Sequence, residues 1–153
     1  MMDLNEIEIL QVALAHEERA RAYYDRQAGV HGRTPAGALF AFLAGEEEGH
    51  IRKLSARYRI PTVEAKWEHK YLPYLIDLER LARDREAAGG EGGGEDAVRR
   101  GLDVAKAAEE HAVEFYGAAA ETVEDRDTKE LLSALREEER IHLARIEEFR
   151  KKV

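Results

Sequence analysis

Cysteine is absent from the 153 residues. No disulfide, thiolate zinc site or iron–sulfur centre can therefore form within this chain, and any metal it holds is bound through oxygen and nitrogen. Proline is scarce, at three residues, and valine and isoleucine are too sparse to line several strands. Alanine, leucine, glutamate and arginine dominate instead, and their propensities favour helix nearly everywhere, which predicts an all-α protein. No run of about 18 apolar residues occurs, and the opening Met1-Met2-Asp3-Leu4-Asn5-Glu6 carries no basic leader. A soluble, cytoplasmic protein with no membrane partner is expected. Positive charge is in deficit, with 24 Lys and Arg against 32 Asp and Glu and a net charge of −8. That balance argues against a nucleic-acid or anionic-membrane partner and favours cations. The length suits one domain over residues 1–153, large enough to bury a core without covalent staples.

Asp3 followed by Glu6 predicts a capping box, after which Ile7, Leu10, Leu14 and Tyr24 recur on one face until Gly29 and Gly32. Thr34-Pro35 predicts the start of a second helix whose stripe of Leu39, Leu43, Ile51 and Leu54 runs to about residue 59, ahead of Pro61. Residues 61–88 read as a crossover containing Trp67, Tyr71 and Tyr74, with a short helix starting near Pro73 that uses Leu75, Leu78, Leu81 or Ala82 to cover a flank. Five glycines and two glutamates between Gly89 and Glu95 predict a mobile linker. A third helix is expected over about 96–122 and, after a tight polar turn at 125–127, a fourth to about residue 149.

The two halves repeat. An offset of 92 residues sets Leu10 on Leu102, Ala13 on Ala105, Ala20 on Ala112, Tyr24 on Tyr116, Leu39 on Leu131 and Leu43 on Leu135. It also sets Glu17 on Glu109, Glu47 on Glu139 and His50 on His142. Each hairpin, about 4–59 and 96–150, thus carries a core-facing Glu and, 30 residues on, a Glu-x-x-His whose two side chains share one helix face. A single Glu-x-x-His in a glutamate-rich helix is commonly accidental. Two in register, each preceded by a matching Glu and matching leucines, are not. Four buried carboxylates need compensation, and two divalent cations cancel four negative charges. Glutamate oxygen and imidazole nitrogen suit iron first and manganese second.

Tyr24 and Tyr116 lie seven residues past Glu17 and Glu109, where they either hydrogen-bond a carboxylate or sit as core tyrosines with their hydroxyls satisfied elsewhere. His16, His31, His69 and His111 have no matching inward carboxylate and are expected at the surface or in loops. Glu46, Glu48, Glu110, Glu137 and Glu138 are rotated off the stripe and are expected to form a solvated face with nearby arginines.

Glu17-x-x-Ala20-x-x-Tyr23-Tyr24, Glu109-x-x-Ala112-x-x-Phe115-Tyr116 and the glutamate-rich runs ending in His50 and His142 resemble the rubrerythrin branch of the ferritin-like superfamily, in its short forms without a rubredoxin domain. The resemblance covers all four long helices. It implies a ferritin-like four-helix bundle with a long crossover between helices two and three. It further implies Glu17 and Glu109 as terminal ligands, Glu47 and Glu139 as bridges, and His50 and His142 as ligands of one iron each. The implied activity is reduction of hydrogen peroxide or dioxygen at the iron pair, with electrons from an external donor or from ferrous iron. The sequence departs from peroxidase-type members at Ala112, where they carry a further glutamate. Two other functions stay open: a ferroxidase or iron-binding protein using the same six ligands, and a helical interaction module presenting Trp67, Tyr71 and Tyr74. A homodimer is expected, with exchange of hairpins through the glycine linker undecided.

Overall fold

In the computed structural model, which describes residues 2–57, 59–60, 68–89 and 94–153, six α-helices follow one another and no strand occurs among the described residues. Helix α1 (Glu6–His31) starts two residues later than expected. Asn5, not Asp3, is its N-cap: the Asn5 side chain accepts from the Glu8 backbone N–H at 2.9 Å while Glu8 Oε1 accepts from the Asn5 N–H at 3.0 Å. The physical reason is the hydrophobic staple that goes with each register. The Asn5 cap pairs Leu4 with Ile9, both buried, whereas an Asp3 cap would pair Met2 with Ile7, and Ile7 is 55% exposed.

The connection to α2 (Pro35–Arg57) is tight. Gly32 closes α1 with φ +56°, and a Cβ on Gly37 would sit 1.9 Å from the Gly32 carbonyl oxygen, so position 37 has no room for a side chain. The Thr34 hydroxyl accepts from the Gly37 N–H at 3.1 Å and starts the second helix.

The crossover holds a short helix α3 (Glu68–Tyr71), a 3₁₀ turn (Leu72–Tyr74) and α4 (Leu78–Gly89). The expected helix start near Pro73 is therefore corrected. Pro73 sits in the 3₁₀ turn, and α4 begins at Leu78, capped by Asp77, whose side chain accepts from the Arg80 N–H at 3.0 Å. Leu78 is buried, with Leu75, Ile76, Leu81 and Ala82 half-buried, so this segment does cover a flank. Trp67 and most of the glycine-rich stretch lie outside the described residues.

Helix α5 (Glu95–Thr122) and α6 (Arg126–Arg150) form the second hairpin, and Asp125 caps α6 by accepting from the Thr128 N–H at 2.9 Å. Each hairpin packs tightly within itself, and α1 meets α5 between them. Apolar residues gather in two clusters. One holds Leu10, Leu54, Tyr116 and Leu135, and the other Tyr24, Leu43, Leu102 and Ile146. On every long helix the glutamate and histidine positions fall between these clusters. The six residues so enclosed are the reason the fold matters for function: burying a Leu or Ile contributes about 1.5–3 kcal/mol, and only a sum of such terms offsets the several kcal/mol that each buried carboxylate costs.

Candidate metal centre

Glu17 projects from α1, Glu47 and His50 from α2, Glu109 from α5, and Glu139 and His142 from α6, all less than 5% exposed. The structure brings all six together. Their donor atoms fall into two groups, Glu17, Glu47, His50 and Glu139, and Glu47, Glu109, Glu139 and His142, each with its donors within 4.8 Å of one another. Glu47 and Glu139 belong to both. The imidazoles of His50 and His142 stack at 5.5 Å with 17° between their planes.

The donors face one another without pairing off. Both oxygens of Glu47, both of Glu139, Glu109 Oε2 and His142 Nδ1 are buried and take part in no directed hydrogen bond. His50 Nδ1 is 2.7 Å from Glu139 Oε1 and 3.3 Å from Glu17 Oε2, and His142 Nδ1 is 3.7 Å from Glu47 Oε1. Orphaned buried oxygens normally carry a heavy cost. Two oxygen- and nitrogen-ligated cations satisfy them and cancel the charge, so the donor set fits a pair of first-row divalent ions.

Protonation is the other way to relieve the strain. Burial, together with the neighbouring Glu47 charge, pushes Glu17 up to about 7. Glu139 is raised well above the carboxylate range by burial and by the charges of Glu109, Glu47 and Glu17. Burial alone would lower His50, but its hydrogen bond to Glu17 and the adjoining Glu47 carboxylate outweigh that and raise it to about 11. His142 moves up likewise, against its burial, through Glu47 and Glu109. These upward shifts favour a proton on Glu17, Glu139, His50 and His142.

The tyrosines act across the hairpins. Tyr24 on α1 donates to Glu109 Oε1 at 2.7 Å, and Tyr116 on α5 donates to Glu17 Oε1 at 2.6 Å. Both hydroxyls stay protonated, since burial and the adjacent carboxylates raise them well above 10. Each outer glutamate is thereby fixed by the opposite hairpin, leaving its second oxygen for the centre. Ala112 is fully buried on α5 and offers no oxygen.

Three expectations are corrected. His16 is not at the surface: it is 4% exposed, its ring centre 5.7 Å from that of His111, and burial drives it down to about 4, so it is neutral. The cause is that α1 is covered on two sides, by α2 and by α5 with the crossover, and a single stripe cannot represent that. His111 is half-buried, its Nε2 2.7 Å from the Tyr74 carbonyl oxygen, whereas His69 is exposed and His31 partly so. Glu138 is not simply solvated, since its Oε2 lies 2.7 Å from His50 Nε2, whereas Glu46 is exposed as expected, with its Oε1 3.6 Å from His142 Nε2. The same 92-residue offset relates them, which is the signal that could have found them. Glu48, Glu110 and Glu137 do face solvent beside Arg52, Lys106 and Arg140. Tyr71, offered as an interaction surface, is 1% exposed, and its hydroxyl is bonded to Gln11.

Paired helical hairpins enclosing a doubled Glu and Glu-x-x-His set define a ferritin-like carboxylate bundle. The family model for rubrerythrin matches residues 8–150, nearly the whole chain, and the protein belongs to the rubrerythrin family. No curated protein and no solved structure gives a match.

Proposed function

We propose that the protein is a non-haem di-iron oxidoreductase of rubrerythrin type that reduces hydrogen peroxide or dioxygen. The observation that supports it is the buried set of orphaned donors in two groups sharing Glu47 and Glu139. In this reading Glu17 and His50 complete one cation position and Glu109 and His142 the other. Iron held there supplies two electrons, one from each ion, and Lewis acidity towards oxygen.

The chain's own contribution is geometric. Tyr116 and Tyr24 hold Glu17 and Glu109 in fixed rotamers. The apolar clusters on either side exclude bulk water and strengthen every electrostatic interaction at the centre. No nucleophilic side chain is required. With no cysteine for a rubredoxin-type centre in this chain, a separate donor or ferrous iron provides the reducing equivalents. The physiological form is a homodimer.

Anaerobic loading should give two iron ions per chain, and Glu47→Ala with Glu139→Ala should abolish it. Stopped-flow mixing should then show the diferrous protein oxidised by hydrogen peroxide faster than free ferrous iron; equal rates would remove the oxidoreductase assignment. Continued oxidation of ferrous iron well beyond two ions per chain would assign the centre to iron oxidation instead.

A further inference from the structure

The two halves of the centre differ in how their imidazoles are held. On one side His50 Nε2 meets Glu138 Oε2 at 2.7 Å, and Glu138 Oε1 is gripped by Lys53 Nζ, also at 2.7 Å. Glu138 Oε2 is itself buried and makes no directed hydrogen bond, so it faces the imidazole as a close charge contact, although the rest of the side chain reaches the surface. The 92-residue repeat supplies the counterparts His142, Glu46 and Arg145 on the other side. There the chain is slack. His142 Nε2 stands 3.6 Å from Glu46 Oε1, and the Glu46 side chain is 47% exposed. Arg145 lies over the ring of Phe42, 4.4 Å from its centre, and Phe42 meets the His142 ring edge-on. Phe42 has no aromatic counterpart, because the repeat places Ala134 at that position. Ala134 therefore offers Lys53 no ring of the kind that Phe42 offers Arg145.

A carboxylate at the far nitrogen of an imidazole fixes both tautomer and ring plane, presenting the Nδ1 lone pair to a cation, and its loss typically costs about 10- to 100-fold in affinity. We propose that the Lys53–Glu138–His50 chain makes the two positions unequal, so that the cation held by Glu17, Glu47, His50 and Glu139 binds first and more tightly. Lys53 and Glu138 are positioning residues for that cation. Phe42 weakens the second position by holding Arg145 away from Glu46. The inference rests on the two-cation reading of the cluster.

Anaerobic titration of the metal-free protein with Co²⁺, followed by its visible d–d absorption, separates the two. The wild type should fill in two resolved steps about tenfold or more apart. Lys53→Met and Glu138→Gln should weaken the first step by about 10-fold or more and leave the second in place, with helical circular dichroism retained and with Lys53→Arg restoring the first step. Phe42→Leu should tighten the second step alone. Filling in one unresolved step, or two steps that none of these variants moves, overturns the inference while leaving the two-cation centre standing. Failure of the wild type to take up two equivalents overturns the centre and the inference with it.

Discussion

Glu17 and Glu109 each receive a tyrosine hydroxyl from the hairpin to which they do not belong. Hydrogen bonds to carboxylates contribute about 1.5–3 kcal/mol, and an oxygen left bare inside the bundle costs a similar amount. Tyr116→Phe and Tyr24→Phe should therefore each lower the unfolding free energy by about 2 kcal/mol, read from denaturant titrations at fixed metal content. A loss below about 0.5 kcal/mol for both would mean that water or the cations already satisfy those oxygens. The sequence identified the tyrosines from their seven-residue spacing, but spacing along one helix speaks only of neighbours on that helix. Which hairpin each hydroxyl serves depends on how α1 and α5 are placed side by side, and that is a tertiary fact. His16 was missed for a related reason, since its burial comes from a second covered face of α1.

At the scale of elements, the long helices were legible because their apolar spacing, caps and glycine stops agree with one another. Their ends were less so. Asp3/Glu6 and Asn5/Glu8 are overlapping capping boxes, and only the burial of Leu4 and Ile9 selects the second. Asn5→Ala should accordingly cost about 1 kcal/mol, whereas Asp3→Ala should change stability by less than about 0.5 kcal/mol. Thermal melts of the two variants in one buffer compare them directly, and equal losses would contradict the assigned cap. The crossover was least legible. Its start was assigned to Pro73 because proline favours a first turn, yet the same proline serves a 3₁₀ turn, and Asp77 supplies the cap that α4 uses.

Across the whole molecule the duplication is what made the cluster visible in the sequence, since each half repeats the other's polar positions inside apolar stripes. It also fixes how stability should depend on pH and cations. In the metal-free fold Glu17 is raised to about 7 and Glu139 well above the ordinary value of 4.5, so these groups keep protons that the unfolded chain gives up. Their contribution is present at low pH and is lost as pH rises towards the folded values. His50, raised from 6.5 to about 11, contributes stability that is complete below 6.5 and is lost as pH climbs through 11. His16 acts in the opposite sense, but only in the window between about 4 and 6.5 where it would have to charge. Between pH 6.5 and 9 the raised groups Glu17, Glu139, His50 and His142 share one sign, and the melting temperature of chelator-treated protein should fall. Cations displace those protons, so loading should release protons into a weakly buffered solution and raise the melting temperature more at pH 9 than at pH 6.5. A metal-free melting temperature that rises over that interval, or loading without proton release, would show that the carboxylates are ionised in the empty fold and that something other than protons holds them together.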